Sequence, residues 1–335
     1  MKRIAVVILN WNGKNLLQDF LPYVVKYSPE AAIYVADNAS TDDSVSFLKA
    51  NYPDIKIIEN KQNYGYAGGY NAALKEVKED IYVLLNSDVE VTENWLTPVL
   101  QLFDSEPNTT FIQPKILDYY NKNHFEYAGA AGGYIDKYGI PFCRGRILNT
   151  IEEDNGQYND NAEIFWASGA CLFVRRDVFW ELNGFDEDFF AHQEEIDLCW
   201  RAFNKGYTAK FCSQSIIYHV GGATLQTNNP RKTFLNFRNS LWMMLKNLPA
   251  NKLFPVLFVR LAMDGAAGMH YLLKGQVLHL WALLKAHYYF YLKLPYFLKK
   301  RYKKQNKCYY KTNSIIWRYY MLNKKKFVDN FNNSL

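Results

Sequence analysis

Paired cysteines are missing from this chain. Its five, Cys143, Cys171, Cys199, Cys212 and Cys308, are scattered, odd in number and contain no Cys-x-x-Cys. That excludes a disulfide framework and a zinc ribbon and points to reduced thiols in a cytosolic protein. Neither common phosphate loop is present. No Gly-x-Gly-x-x-Gly follows the first apolar run, and no Gly-x-x-x-x-Gly-Lys occurs anywhere. A dinucleotide oxidoreductase and a P-loop nucleoside triphosphatase are thereby excluded. The apolar C-terminal stretch has no long uncharged run either. Its longest, from Gly275 to Leu284, has ten residues, about half a membrane span. The run Ile4 to Leu9 ends at once in Asn10-Trp11-Asn12-Gly13, too short for a signal peptide and without a cleavage site, so a buried first strand is expected.

Acid is absent from one region. Between Gly265 and Val328 there are 14 Lys and Arg and no Asp or Glu, while the remainder carries 25 basic and 33 acidic residues. The net charge of +6 is therefore the sum of an acidic body and a basic tail. The 335 residues are 49% hydrophobic and 17% aromatic, which excludes a disordered chain and allows a sizeable core.

The first 115 residues alternate strand-like and helix-like patterns. Ile4–Leu9, Ala32–Ala36, Ile55–Ile58 and Ile81–Leu85 read as strands. Helical spacing of Leu16, Leu17, Phe20, Leu21, Val24 and Val25, and of Val45 and Leu48 behind a cap at Ser40 or Thr41, fills the gaps. A helix opening at Gly68-Gly69 completes a βαβαβαβ order, which predicts a mostly parallel α/β sheet with loops gathered at the strand C-termini. Residues 116–165 are irregular. Strands near Cys171–Val174, Ala209–Cys212 and Ile216–Tyr218 and helices at Arg176–Asn183 and Glu194–Gly206 follow, and beyond Pro230 the pattern is helical. The expected division is a catalytic body over 1–228, in halves 1–115 and 116–228, and a helical region over 229–335.

Three polar clusters, Asn10-Trp11-Asn12, Asp37-Asn38-Ala39-Ser40 and Asn86-Ser87-Asp88, end consecutive strands. In an open α/β sheet that rim is where ligands bind. With no phosphate cradle, a divalent cation must offset a diphosphate, and Mg²⁺ and Mn²⁺ favour a few carboxylates plus substrate oxygens. Asp88 is placed for that, with Asn86 and Glu90 as weaker candidates.

These clusters, with Asn63-Tyr64-Gly65-Tyr66-Ala67-Gly68-Gly69-Tyr70-Asn71, resemble inverting family 2 glycosyltransferases of the GT-A fold, in particular the rhamnosyl- and galactofuranosyltransferase-like members. Trp166-Ala167-Ser168-Gly169, Gly184-Phe185-Asp186-Glu187, Glu194-Glu195-Ile196-Asp197-Leu198-Cys199-Trp200-Arg201 and His219-Val220-Gly221-Gly222 extend the resemblance over about residues 3–225. It implies a nucleotide-sugar donor held by Asn10, Asp37, Asn38, Asn63, Gly65, Asn71 and Ser87. It also implies an acceptor side built from Trp166, Ser168, Gly169 and Glu194, and an Mg²⁺ or Mn²⁺ ion on Asp88 and His219. The family's acidic pair ends in the general base. Here the pair is Glu194-Glu195, which makes Glu195 the base and leaves Asp197, at i,i+4 from Arg201, as the alternative. Trp166 fits a sugar-stacking surface and a core position equally.

In the tail, Trp281, Tyr288, Tyr289, Phe290 and Tyr291 interleave with Lys, and Lys299-Lys300-Arg301-Tyr302-Lys303-Lys304 and Lys324-Lys325-Lys326 are charge clusters. Interleaved aromatics favour amphipathic helices on an anionic inner leaflet over a nucleic-acid partner; a helical domain or dimer interface is the other reading. The expectation is a cytoplasmic, peripheral, metal-dependent glycosyltransferase acting on a glycan or lipid-linked acceptor, with UDP or dTDP as the donor nucleotide. Its rivals are a non-catalytic nucleotide-sugar-binding assembly protein and a sugar nucleotidyltransferase.

Overall fold

A computed structural model describes residues 3–221, 229–302 and 304–331. Gly222 of the histidine motif and Lys303 of the basic cluster lie outside the described residues. Strands β1 (Ile4–Asn10), β2 (Ala31–Asp37), β3 (Lys56–Glu59) and β4 (Ile81–Asn86) pair in parallel in the order β3-β2-β1-β4. Helices α1 (Lys14–Tyr27), α2 (Ser44–Asn51) and α3 (Gly65–Ala73) are the crossovers. β1 and β4 are continuous apolar runs because both faces of the sheet are covered. All three polar clusters therefore emerge at one rim.

Helix α2 starts later than its sequence suggests. Ser40 and Thr41 do not cap it, because the rim takes them. Ser40 Oγ accepts from the Asn12 N–H at 2.9 Å, and the Thr41 N–H donates to Asn12 Oδ1 at 2.7 Å. Asp42 does the capping, accepting from the Ser44 N–H at 3.1 Å.

The second half of the sheet is mixed. After β5 (Val89–Val91) and α4 (Thr97–Ser105) comes β6 (Thr109–Asp118), a buried strand that the sequence pattern hides. Polar Gln113 and Lys115 interrupt its apolar run but are satisfied internally, by the Gly129 carbonyl at 3.0 Å and by Asp154 at 2.7 Å. Strands β7 (Gly133–Ile135), β8 (Pro141–Cys143), β9 (Arg146–Ile147) and β10 (Thr150–Ile151) form a small antiparallel sheet in the irregular region, and β11 (Glu163–Ile164) edges the main sheet. β12 (Cys171–Arg175) inserts antiparallel between β4 and β6. Helices α5 (Arg176–Glu181) and α6 (Glu194–Lys205) precede β13 (Thr208–His219), which pairs with β6 in parallel. The two short strands expected there are one, with a register shift between Cys212 and Ile216.

The tail is helical: α7 (Pro230–Asn247), α8 (Ala250–Leu273), α9 (Val277–Leu292), α10 (Leu294–Lys299), α11 (Ile315–Tyr320) and α12 (Phe327–Phe331). Although the tail has no long uncharged run, α8 is long and apolar enough to cross a bilayer by length and composition. Its mid-helix charges are neutralised within the fold. Arg260 Nε donates to Asp264 at 2.8 Å, and His287 of α9 lies 3.2 Å from the same carboxylate.

The tail is fastened to the body by charge and by aromatic packing. Lys246 of α7 bridges Asp186 at 2.7 Å and Asp197 at 2.8 Å, and Lys300 reaches Asp186 at 2.7 Å. Burial would raise the Asp186 carboxyl, but these two ammonium groups outweigh it and hold it at about 2. Arg301 donates to the Leu245 and Leu248 carbonyls. Two cations of the 299–304 cluster are thus spent inside the protein rather than presented to solvent. Further on, the Lys311 N–H donates to the Ile135 carbonyl at 3.0 Å, and Phe327 sits against Tyr134 and Tyr158. Removing one member of a buried ion network strands its partners. Lys246→Met is expected to cost about 3 kcal/mol, read as a lower urea midpoint at unchanged m-value.

Candidate functional site

The rim begins with a lattice of amides and carboxylates. Asn10, at the end of β1, is fully buried and donates to Asp37 Oδ1 at 3.1 Å. The other Asp37 oxygen accepts from the Ser40 N–H at 2.9 Å. Asn38 donates to Asn63 Oδ1 and to the Gly65 carbonyl, both at 3.0 Å, and accepts from Asn60 at 3.1 Å. Asn63 Oδ1 also accepts from the Gly65 N–H at 2.9 Å. These residues hold the loops after β2 and β3 to each other. Asn10 Oδ1 alone among their polar atoms here is buried without a partner. Ser87, in the turn after β4, lies across from Gly13 beside it.

Some expected ligand residues are occupied by the fold itself. Asn71 is buried, donating to the Phe185 carbonyl at 2.9 Å and to Glu187 at 3.0 Å and accepting from the Phe185 N–H at 3.0 Å. It anchors the 184–187 loop and has no side-chain group left for a nucleotide. Trp166 is a core residue: its Nε1–H donates to the Tyr134 carbonyl at 2.9 Å and its indole lies against Gly133. Ser168 is also buried, its hydroxyl donating to the Ala128 carbonyl and its N–H donating to Gln113 at 2.9 Å. Gly169 does stand at the rim, its carbonyl accepting from the Tyr66 hydroxyl at 2.7 Å. Gly65, with φ of +72°, lets the backbone meet the Phe190 carbonyl, where a Cβ would come within 2.5 Å.

At the turn after β4 a carboxylate and an imidazole face each other. His219 Nε2 is 3.2 Å from Asp88 Oδ1 and 3.3 Å from Asn86 Nδ2. Its other nitrogen, Nδ1, is 3.4 Å from Glu126 Oε2 but out of hydrogen-bond alignment. All three ionisable groups are buried. Burial opposes charge on His219, yet the Asp88 and Glu126 carboxylates push it up to about 10. Burial would likewise raise Asp88; the imidazolium outweighs it and holds the carboxyl below its usual value.

The opposite wall is the N-terminus of α6. Phe190, His192 and Gln193 leading into it all have positive φ, 65°, 70° and 72°, a strained run of the kind that accompanies functional sites. His192 Nε2, Gln193 Oε1, Glu194 Oε2 and Glu195 Oε2 are all buried with no hydrogen-bond partner. Burial pushes Glu195 up to about 7, and burial plus the neighbouring Glu195 charge drives Glu194 well up. The charges of both carboxylates add to burial in raising the Tyr66 hydroxyl. Asp197 is different. It accepts from Arg201 at 2.7 Å, Lys246 at 2.8 Å and Asn247 at 2.8 Å, in complete burial. Fully committed to these cations, it orients the helix and has no free oxygen for a substrate proton.

The sequence model of glycosyl transferase family 2 matches residues 5–183, more than half of the chain. The chain belongs to this family. Among its relatives are the low-salt glycan biosynthesis hexosyltransferase Agl10 of Haloferax volcanii, 23% identical over 242 residues, covering 70% of this chain and 73% of the relative. Another is the N-acetylglucosaminyl-diphospho-decaprenol L-rhamnosyltransferase of Mycobacterium tuberculosis, 24% identical over 58% of this chain and 68% of the relative. The fold agrees with solved structures. GalNAc-T7 with UDP, GalNAc and Mn²⁺ superposes with a TM-score of 0.60 at 16% identity over 75% of this chain, which spans about half of that protein (49%). The mannosyltransferase PcManGT of Pyrobaculum calidifontis, with GDP-Man and Mn²⁺, gives a TM-score of 0.53 at 16% identity, over 88% of this chain and 87% of that one. The architecture is GT-A, with a mixed second half and a helical tail.

In this glycosyltransferase four rim residues escaped the sequence reading: Glu126, Tyr66, His192 and Lys232. Burial and the charge of Lys232 together lower His192 to about 4, while Glu126 acts on Lys232 in turn. The α7 lysine is thus within electrostatic reach both of Glu126, beside His219, and of His192, beside the α6 acids.

The raised Glu195 pKa has a stability consequence. The folded state keeps the proton that the unfolded chain releases above the ordinary glutamate value of about 4.5, so stability falls as pH rises from there to about 7. Glu195→Gln is expected to abolish that fall. Its melting temperature should exceed that of the parent at pH 8 and match it at pH 4.5, in thermal scans across pH.

Proposed function

We propose that this glycosyltransferase is metal-dependent and inverting, and that it transfers a sugar from a UDP- or dTDP-linked donor to a hydroxyl of a glycan or lipid-linked acceptor in cell-surface polysaccharide synthesis. The observation that carries this reading is the Glu195 carboxylate, one oxygen of which, Oε2, is buried without a hydrogen-bond partner, on the mouth that also holds the Asp88–His219 pair. An acceptor hydroxyl is far too weak an acid to react unaided at neutral pH, and a base with a pKa near 7 is matched to that task. Glu195 takes the hydroxyl proton while the acceptor oxygen bonds to the sugar C1. The C1–oxygen bond to the diphosphate breaks on the opposite side, and the configuration inverts.

The residues present fit a divalent cation. Asp88 and His219 Nε2 converge, and the Glu126 carboxylate lies 3.4 Å from the other ring nitrogen, the kind of outer partner that orients metal-bound histidines. Among the described residues no group of three or more His, Cys, Asp or Glu side chains is set to enclose an ion by itself, which suits a site completed by phosphate oxygens. When bound, Mg²⁺ or Mn²⁺ offsets charge on the departing nucleoside diphosphate. The Mn²⁺ and the UDP and GDP-Man named with the two similar structures support the same assignment. Asp37 and Asn38 line the nucleotide end of the rim, and Glu194 the acceptor end.

A thermal-shift panel of UDP, dTDP and their sugars with Mn²⁺ tests the donor. Stabilisation by one nucleotide series above the others is expected, and no stabilisation by any would refute it. Asp88→Ala and Glu195→Gln should each reduce transfer by about 10²-fold or more, with donor binding retained in Glu195→Gln. Turnover should rise with pH to a plateau above about 7 as Glu195 deprotonates. Glu126→Gln should weaken the Mn²⁺-induced thermal shift, an effect on metal affinity of about tenfold.

A further inference from the structure

Nineteen of the 25 exposed large hydrophobic side chains in the described residues fall between Phe254 and Leu322. The catalytic body has the ordinary scatter of single exposed residues; the tail has a surface. Its densest part is the turn between α8 and α9. Leu272, Leu273, Val277, Leu278 and Trp281 stand around Gly275 with more than half of each side chain in solvent, reaching 79% for Leu273 and 70% for Leu278. The outer face of α8 continues the patch through Phe254 and Phe258. The inner faces are conventional. Leu283, Ala286 and Phe290 are buried, and the Arg260–Asp264–His287 cluster lies between the two helices. The hairpin is thus a packed element with one uncovered apolar side, not a core helix pair exposed along its length.

The hairpin tip adjoins the catalytic mouth. His279, four residues beyond Gly275, makes a 2.8 Å contact from Nδ1 to the Thr233 hydroxyl and stacks on Tyr271 at 5.5 Å. Thr233 follows Lys232, whose charge acts on His192, and Arg231 covers the Phe190 ring at 5.2 Å. One turn of α7 therefore touches the exposed hairpin on one side and the substrate mouth on the other.

Charge selects the occupant. Lys274, Lys285 and Lys293 flank the patch, all exposed, and no acid occurs from Gly265 to Val328. A second copy docked face to face would set these cations against their own equivalents, which costs affinity. An anionic lipid surface instead complements them, and Trp and Tyr at the edge of an apolar face suit the headgroup boundary.

We propose that the α8–α9 hairpin inserts its tip into an anionic bilayer and thereby holds the catalytic mouth against the lipid surface. This rests on the proposed reaction only for its purpose, the delivery of a membrane-anchored acceptor; the binding itself needs no substrate and is tested without one. Full-length protein is mixed with vesicles of phosphatidylcholine alone or with 30% phosphatidylglycerol, values of roughly this order being enough to give the surface a strong negative potential. Sedimentation should show binding to the anionic vesicles, weakened at least tenfold by Leu273→Asp and by Trp281→Glu, with donor-induced thermal shifts unchanged. In the unmodified protein, lipids brominated on their acyl chains should quench part of the tryptophan emission, and Trp281→Phe should remove that quenching. Absence of binding at low salt would overturn the proposal, as would equal binding by both charge-bearing variants. So would a dimer in light scattering that dissociates with the same substitutions while vesicles do not compete with it. Loss of glycosyl transfer with vesicle binding intact would count against the reaction and leave the hairpin standing.

Discussion

One lysine ammonium organises the catalytic end of this molecule. Lys246 lies in a buried position between Asp186 and Asp197, while Arg238 and Asn239 of the same helix donate to backbone carbonyls of the 188–192 segment between them. The Asp186 end belongs to the loop that crosses the mouth, and the Asp197 end to the helix that carries the acid pair. Burying these charges is unfavourable for each alone and tolerable only with all partners in place. The geometry is consequently all-or-none, and α6 is held at one rotation. That rotation sends Asp197 inward to its cations and leaves Glu194 and Glu195 facing the mouth.

Within four consecutive residues the same chemical group is treated in two opposite ways. Asp197 is given Arg201, Lys246 and Asn247 as hydrogen-bond donors, whereas Glu195 has burial without a cation, which pushes it up to about 7. Separating the environments of neighbouring carboxylates is how a site obtains both a fixed charge and a proton carrier. The second wall repeats the device with an imidazole. Two carboxylates raise the His219 imidazole, whereas burial and a lysine lower that of His192.

Much of this was legible in the sequence, for physical reasons. Continuous apolar runs mark strands covered on both faces, so β1, β2 and β4 and the rim at their ends could be placed without coordinates. The motif residues Asp88, His219 and Glu195, expected from the sequence, lie at the strand ends and helix start where the pattern put them. What misled was chemistry shared by ligands and by loops. Asn71, Ser168 and Trp166 are the residue types that bind sugars and nucleotides, yet here their donors are consumed by backbone carbonyls, which only three-dimensional contact can reveal. Glu126 and Lys232 were hidden for the converse reason. Glu126 sits in an irregular stretch and Lys232 in a helical one without a motif, and each matters through a neighbour from elsewhere in the chain. The 299–304 charge cluster was read as part of a membrane-facing or interface-forming helical surface because composition does not show that Lys300 and Arg301 turn inward.

The place of Phe327 bears on how the protein comes to be folded. Its ring fills a space among Tyr134, Phe142 and Tyr158, and its N–H donates to Glu152 across 175 positions of chain. Contacts of such separation close late. During synthesis the small antiparallel sheet of the acceptor half must therefore wait, with an aromatic cavity open, until nearly the whole tail has left the ribosome. The apolar hairpin is made before that cavity is filled, so the nascent chain passes through an interval with both surfaces uncovered.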